Sequence, residues 1–269
     1  MMNKTQIINN LKIAYLDNEV NSNISIVFVH GNSLNSQTFN KQFNNSKLNK
    51  YRLLALDMPG HGNSDQANNY SVPLFVNTIV DFCKALNLKN FILAGHSLGG
   101  HFSIQSIPEL VSCIGTFIFG TPPVKLPLNL DDAFLPHPVM PLLFKKDLNY
   151  EDIDLLAKSL SYSQHQKIIK TCITTTHNNV REQLLISIQN GDMVDEANII
   201  ENINIPIALL SGKEDAFVNT DYINSLPIPS LWQKKLILIE ASSHSPHLEN
   251  PEVFNTFLND FVKSCSKTS

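Results

Sequence analysis

The stretch Phe91–Ser103, FILAGHSLGGHFS, runs from an apolar segment into a knot of small residues with a serine in the middle. Phe91 to Ala94 reads as a buried strand, and His101 to Ser106 is compatible with a helix. Between them, GHSLGG fits the pattern G-x-S-x-G. Small residues at Gly95 and Gly99 let the backbone reverse sharply enough to lift the Ser97 hydroxyl off a sheet edge. The N–H of Leu98, at the start of the helix, then points to where an oxyanion would develop. The same residues could also make a plain strand-to-helix turn. A reactive serine needs partners, and these must come from elsewhere in the chain.

Outward from this point, similar apolar runs recur at Ile24–Val29, Tyr51–Leu56, Ile114–Phe119, Ile207–Leu210 and Leu236–Ile239. Their β-branched, continuous character marks strands covered on both faces. Thr5–Ile8 and Leu11–Leu16 add two strands around an Asn-Asn turn, since Asn tolerates positive φ. Val72 to Leu86 carries apolar residues at helical spacing, with Ser71 as its N-cap and Pro73 in its first turn. Strands alternating with helices predict an α/β fold, a mostly parallel eight-stranded sheet with helices on both faces. The rhythm breaks after FIFGTPP (Phe117–Pro123), where prolines cluster and helical patterns follow over Tyr150–Tyr162, Gln164–Thr176 and Val180–Gln189. The organisation expected is a core in two parts, 1–121 and 203–269, interrupted by a helical cap over 122–202. Such an insertion would lie over the strand ends, where open α/β sheets bind ligands.

A serine hydroxyl is a poor nucleophile unless a base takes its proton. Of nine histidines, His30, His61, His96 and His101 sit in glycine-containing turns or flank the serine, where shaping the backbone is the simpler role. His137, His165 and His177 fall in the insertion. His244 and His247 follow the last apolar strand in KLILIEASSHSPHLENP, and in a parallel sheet that loop shares an edge with the loop after Ala94. His244 is closer to the strand end and is the better candidate, while His247 opens the segment leading to a final helix over Pro251–Val262. The imidazole in turn needs a carboxylate to fix its tautomer. Asp215 in SGKED ends the strand at Ile207–Leu210, with Glu214 and Asp221 as competing acids. Ser97, Asp215, His244 is the chain order of a nucleophile-elbow hydrolase.

Charged residues are only 16% of the chain against 43% hydrophobic, which gives a substantial core, and the net charge of -4 argues against nucleic acid as a partner. No window approaches the ~20 apolar residues of a membrane span. Cys83, Cys113, Cys172 and Cys265 lack zinc or disulfide-framework spacing. MMNKTQIINN at the start lacks a signal peptide's apolar stretch, so a soluble cytoplasmic protein is expected. Nothing in the sequence separates a monomer from a dimer.

Taken together, these residues resemble the α/β-hydrolase superfamily, specifically its capped single-domain members, over nearly the whole chain outside the insertion. VFVHGNS (Val27–Ser33) looks like the H-G loop, and the resemblance puts a second oxyanion N–H on Asn32. LDMPGHGNSD (Leu56–Asp65) is similar to the family's structural D-x-P-G-x-G-x-S turn. SGKED matches the G-x-x-D loop and puts the acid on Asp215. SSHSPHLENPEVF (Ser242–Phe254) resembles the G-H-x-P-H-L-E-x-P ending, with Ser243 in place of glycine and His244 as the base. The resemblance implies an esterase-like serine hydrolase with an acyl-enzyme intermediate, acting on a small, partly apolar ester-like substrate without metal or organic cofactor. A serine at position 97 sets it apart from the dehalogenase and epoxide-hydrolase branches, whose nucleophile is aspartate. Leu142 and Phe144 of the insertion are candidates for the pocket wall. The competing class is a small-molecule receptor on the same fold, with slow or no turnover.

Overall fold

Two consecutive asparagines at positive φ, Asn9 (50°) and Asn10 (64°), close a tight hairpin between β1 (Met2–Ile8) and β2 (Leu11–Asp17). The computed structural model describes residues 2–266. The hairpin is the antiparallel edge of a sheet of eight strands in the order β1-β2-β4-β3-β5-β6-β7-β8. The remaining strands are β3 (Ser25–Val29), β4 (Arg52–Leu56), β5 (Phe91–His96), β6 (Cys113–Phe119), β7 (Ile207–Gly212) and β8 (Ile237–Ile239). From β4 to β8 every neighbouring pair is parallel. All their C-terminal ends therefore lie along one edge, and the loops leaving β5, β7 and β8 converge there.

The period-2 alternation of these strands feeds two cores. In β3, Val27 and Val29 pack on one face of the sheet while Ile26 and Phe28 pack on the other, all fully buried. Each such side chain contributes about 1.5–3 kcal/mol by leaving water. The first face is covered by α1 (Val72–Ala85) and α2 (Leu98–Ser106), through Phe75, Ile79, Phe82 and Phe102. The Ser71 hydroxyl caps α1 by accepting the Leu74 N–H, as its position ahead of the apolar stripe predicts.

Between β6 and β7 run α3 (Tyr150–Leu160), α4 (Gln166–Thr175), α5 (Asn179–Gln189) and α6 (Glu196–Asn202), preceded by short helical turns at Leu130–Ala133 and Met140–Phe144. Leu156 and Leu160 of α3 pack with Ile169 and Ile173 of α4, and this cluster rests on Leu34, Phe217 and Leu248 from the loops at the strand ends. Helix α3 stops at Leu160 rather than Tyr162, because Ser161 is extended (φ -166°) and the Tyr162 N–H donates to Glu249 instead. Helix α6 has no counterpart in the sequence expectation. Its seven residues are too few for a periodic pattern to register, and Ile200 anchors it beside Ile104 of α2. The second face of the sheet is covered by α7 (Pro251–Cys265), through Phe254, Leu258 and Phe261. No helix among the described residues is long and apolar enough to cross a membrane.

Candidate active site

Ser97 occupies the turn between β5 and α2 with φ 50° and ψ -123°. A serine held there carries strain of about 1–3 kcal/mol, which the surrounding packing must offset. The packing is close. A Cβ on Gly99 would come within 2.3 Å of the His30 carbonyl oxygen, and one on Gly95 within 2.6 Å of the Gly100 Cα. Only glycine lets α2 start this near the end of β3. The Ser97 N–H donates to the Phe119 carbonyl (2.9 Å), and Thr121 Oγ1 donates to the Ser97 carbonyl (2.8 Å). The backbone is thus held from both sides while the side chain stays available.

His244 and Asp215 reach the same edge from the loops after β8 and β7. His244 Nε2 lies 2.9 Å from Ser97 Oγ, and His244 Nδ1 lies 2.9 Å from Asp215 Oδ2. With the carboxylate accepting the Nδ1 proton, Nε2 is left to accept from the hydroxyl. Asp215 Oδ1 accepts from the N–H groups of Phe217 (2.9 Å) and Val218 (3.3 Å). Burial works against ionising this carboxyl. The positive charge His244 carries when protonated, its hydrogen bond and the two N–H groups together outweigh that, and hold Asp215 below the usual carboxylate range. The competing acids are elsewhere. Glu214 accepts from the Tyr162 hydroxyl (2.8 Å), and Asp221 is exposed in the first turn of the short helix Thr220–Ser225.

The neighbouring loops brace this line. His96 Nε2 donates to the His244 carbonyl (2.9 Å), and the Phe217 ring stands edge-on to His244 at 4.9 Å. Glu249 accepts from the Ser243 N–H (2.7 Å) and hydroxyl (2.6 Å), tying the His244 loop to the chain after α3. His247 packs against Phe39, His96 and Phe119 without engaging Ser97, which is the packing role its sequence position suggests. The backbone N–H groups of Asn32 and Leu98 donate to no acceptor of the chain among the described residues. Both residues border the cavity above Ser97. Asn32 is fixed by its side chain: Nδ2 donates to the Leu143 carbonyl (2.9 Å) and Oδ1 accepts from Ser33 Oγ (2.8 Å). Ser33 Oγ in turn accepts from the buried guanidinium of Arg181 (3.2 Å). An α5 residue thereby steadies the loop after β3, a link across 148 positions with no local signature.

The cavity holds about 100 Å³ and its wall is largely apolar. Phe144 lines it, but Leu142 does not. Met140–Phe144 is a 3-10 helix with three residues per turn, so Met140 and Leu143 eclipse each other and share the cavity side; all three of Met140, Leu142 and Leu143 touch the α3–α4 cluster, but Leu142 does not reach the cavity. Leu143 is the leucine of this pair that reaches the cavity wall.

Four buried histidines support these loops as neutral rings. His30 Nε2 accepts the Met58 N–H (3.0 Å), and burial lowers the affinity of His30, His61, His96 and His247 for protons, His96 to about 3. The unfolded chain binds these protons below about pH 6.5 and the folded chain does not, so stability is complete above that pH and falls as pH drops towards 3. At pH 5, His96 alone should cost about 2 kcal/mol. Urea midpoints should therefore be flat between pH 7 and 8 and decline steeply by pH 5. A midpoint unchanged at pH 5 would mean these rings are protonated in the fold.

The sequence profile described as the alpha/beta hydrolase family matches residues 26–257. The chain belongs to the alpha/beta hydrolase family. It is 28% identical to "Putative esterase/lipase 1" of Mycoplasma genitalium over 93% of this chain and 95% of that relative. Among solved structures it is similar to N-acyl homoserine lactonase AidH complexed with N-butanoyl homoserine, with a TM-score of 0.93 and 25% identity over 98% of this chain and 97% of that one. An esterase from Exiguobacterium antarcticum shares the fold with a TM-score of 0.80 at 19% identity, over 97% of this chain and all of the other. The protein is thus an esterase/lipase-like alpha/beta hydrolase.

Proposed function

We propose that this alpha/beta hydrolase is a serine esterase in which Ser97 is the nucleophile, His244 the general base and Asp215 the acid that orients it. The observation carrying this reading is the unbroken line Asp215–His244–Ser97, two hydrogen bonds of 2.9 Å that open onto an apolar cavity. As Ser97 Oγ attacks the substrate carbonyl, its proton passes to His244 Nε2. The N–H groups of Asn32 and Leu98 receive the developing oxyanion, each such donor being worth about 2.7–4 kcal/mol. His244 then protonates the leaving alcohol. Water, deprotonated by the same imidazole, cleaves the acyl-enzyme and restores Ser97.

A cavity of about 100 Å³ is smaller than the ~300–1,000 Å³ of clefts that hold drug-sized ligands, so the ester has a short acyl chain. The segment 122–202 serves as the cap, contributing wall residues such as Phe134, Leu143 and Phe144. The likeness to a lactonase over nearly the full chain supports including cyclic esters among the candidates. A fluorophosphonate probe should label the folded protein stoichiometrically, with the adduct on Ser97 by peptide mapping. Turnover of p-nitrophenyl esters should be greatest at acetate to hexanoate and fall by dodecanoate, and N-butanoyl homoserine lactone belongs in the same panel. Absence of labelling would overturn the esterase reading in favour of a receptor on this fold.

A further inference from the structure

The cavity wall is apolar with few interruptions, and one of them is not used by the chemistry above. His101, one helical turn after Ser97 on α2, borders the cavity and is only 6% exposed. Its Nδ1 lies 2.8 Å from Oε2 of Glu196, the first residue of α6, which is fully buried. Glu196 also accepts from Gln105 Nε2 (2.7 Å) and from the Val124 N–H (3.0 Å). This carboxylate thus has its lone pairs engaged by three donors, and it can only accept. The His101 proton facing it must therefore sit on Nδ1, which fixes the ring's tautomer and orientation as second partners do for histidine ligands.

The only side-chain hydrogen bond of His101 among the described residues is the one at Nδ1, which leaves Nε2 on a residue that borders the cavity. Packing alone does not require such a group. A leucine at 101 would fill an apolar wall without bringing a buried carboxylate and an amide with it, and a buried polar network costs more than an apolar core unless every member is satisfied. A few fixed polar atoms in an otherwise apolar pocket are what orient a ligand. We infer that His101, held by Glu196, is a specificity subsite that accepts a hydrogen bond from the substrate, so the preferred esters carry a hydroxyl or amide N–H close to the scissile carbonyl. Ser97 and His101 border the same cavity, and the His101 N–H donates to the Ser97 carbonyl (3.3 Å), which keeps the two residues close. This inference rests on the esterase reading for which end of the ligand is cleaved, but its test needs no turnover.

The test is calorimetric binding to Ser97→Ala of three kinds of methyl ester of one chain length: hexanoate, 3-methoxyhexanoate and 3-hydroxyhexanoate, the last as each separate enantiomer. One hydroxy enantiomer should bind about tenfold more tightly than hexanoate, the gain of one hydrogen bond to the cavity-facing imidazole. The methoxy ester, which accepts but cannot donate, should show no such gain. Adding His101→Leu should abolish the preference. Adding His101→Phe, a ring of similar size that offers no acceptor, should likewise remove the advantage of hydroxy over methoxy even if the leucine variant fails to fold. Equal binding of all three esters to Ser97→Ala, or a hydroxy preference that survives either added substitution, would overturn the subsite. Fluorophosphonate labelling of the wild type reports separately on the esterase reading.

Discussion

Ser97→Ala is expected to lower kcat for p-nitrophenyl butanoate by about 10⁴- to 10⁶-fold while leaving KM within a few-fold of the wild type. The split follows from what the side chain touches. Among the described residues Ser97 Oγ makes a single hydrogen bond, to His244 Nε2, and the strained backbone is held by groups that alanine keeps: the Phe119 carbonyl on its N–H and Thr121 Oγ1 on its carbonyl. Alanine at φ 50° is no worse off than serine, so the turn and the melting temperature should persist. Substrate should still enter an unchanged cavity and still meet the N–H groups of Asn32 and Leu98. What disappears is the atom proposed to form the acyl bond. A residual rate above background can come from the oxyanion donors acting on attack by water. Steady-state kinetics on a variant purified free of host esterases, paired with its thermal denaturation curve, checks both halves. Retention of more than about a hundredth of wild-type kcat would place the nucleophile elsewhere, because loss of a serine acting with its base is far larger than that.

The candidate site is legible in the sequence for a physical reason. Ser97, Asp215 and His244 each lie within a few residues of the end of a β-rich run, and a parallel sheet brings such ends to one edge whatever the strand order. Local chemistry was equally readable: Ser71 as a cap, Asn9 and Asn10 as a hairpin turn, and Asp57 as a loop-holder that accepts the Ser36 and Asn63 N–H groups. The parts that escaped depend on long-range pairing or on helix type. Glu196 meets His101 across 95 positions, and neither residue signals the other. In the sequence His101 looked like a supporter of the glycine turn, yet it stands within α2 and faces the cavity. Leu142 and Leu143 are identical side chains side by side, and only the 3-10 geometry of their segment decides which reaches the pocket. Apolar residues that line a pocket and those that pack a helix pair have the same composition, so the wall could not be read from the segment that supplies it.

The acid offers the sharper test, because two carboxylates stand side by side in SGKED. Asp215→Asn should reduce kcat by about 10⁴-fold, whereas Glu214→Gln should change it by less than about threefold. The asymmetry comes from the direction of each hydrogen bond at position 215. Oδ1 accepts from the N–H groups of Phe217 and Val218, so an asparagine there must aim its carbonyl oxygen at those two donors. Its amide nitrogen then faces His244 Nδ1 in the place of Oδ2, and it can only donate. The imidazole is forced to accept at Nδ1 and carry its proton on Nε2, where it can no longer take the proton of Ser97 Oγ. Geometry survives while the tautomer is wrong, so the variant should fold and bind substrate with a nearly unchanged KM. Glu214 turns away from this line: its carboxylate accepts from the Tyr162 hydroxyl, an arrangement the glutamine oxygen preserves, and its backbone N–H donates to Ser242 regardless of side chain. The reverse result, with Glu214→Gln inactive and Asp215→Asn near wild type, would mean that His244 takes its orientation from the neighbouring acid in the working enzyme.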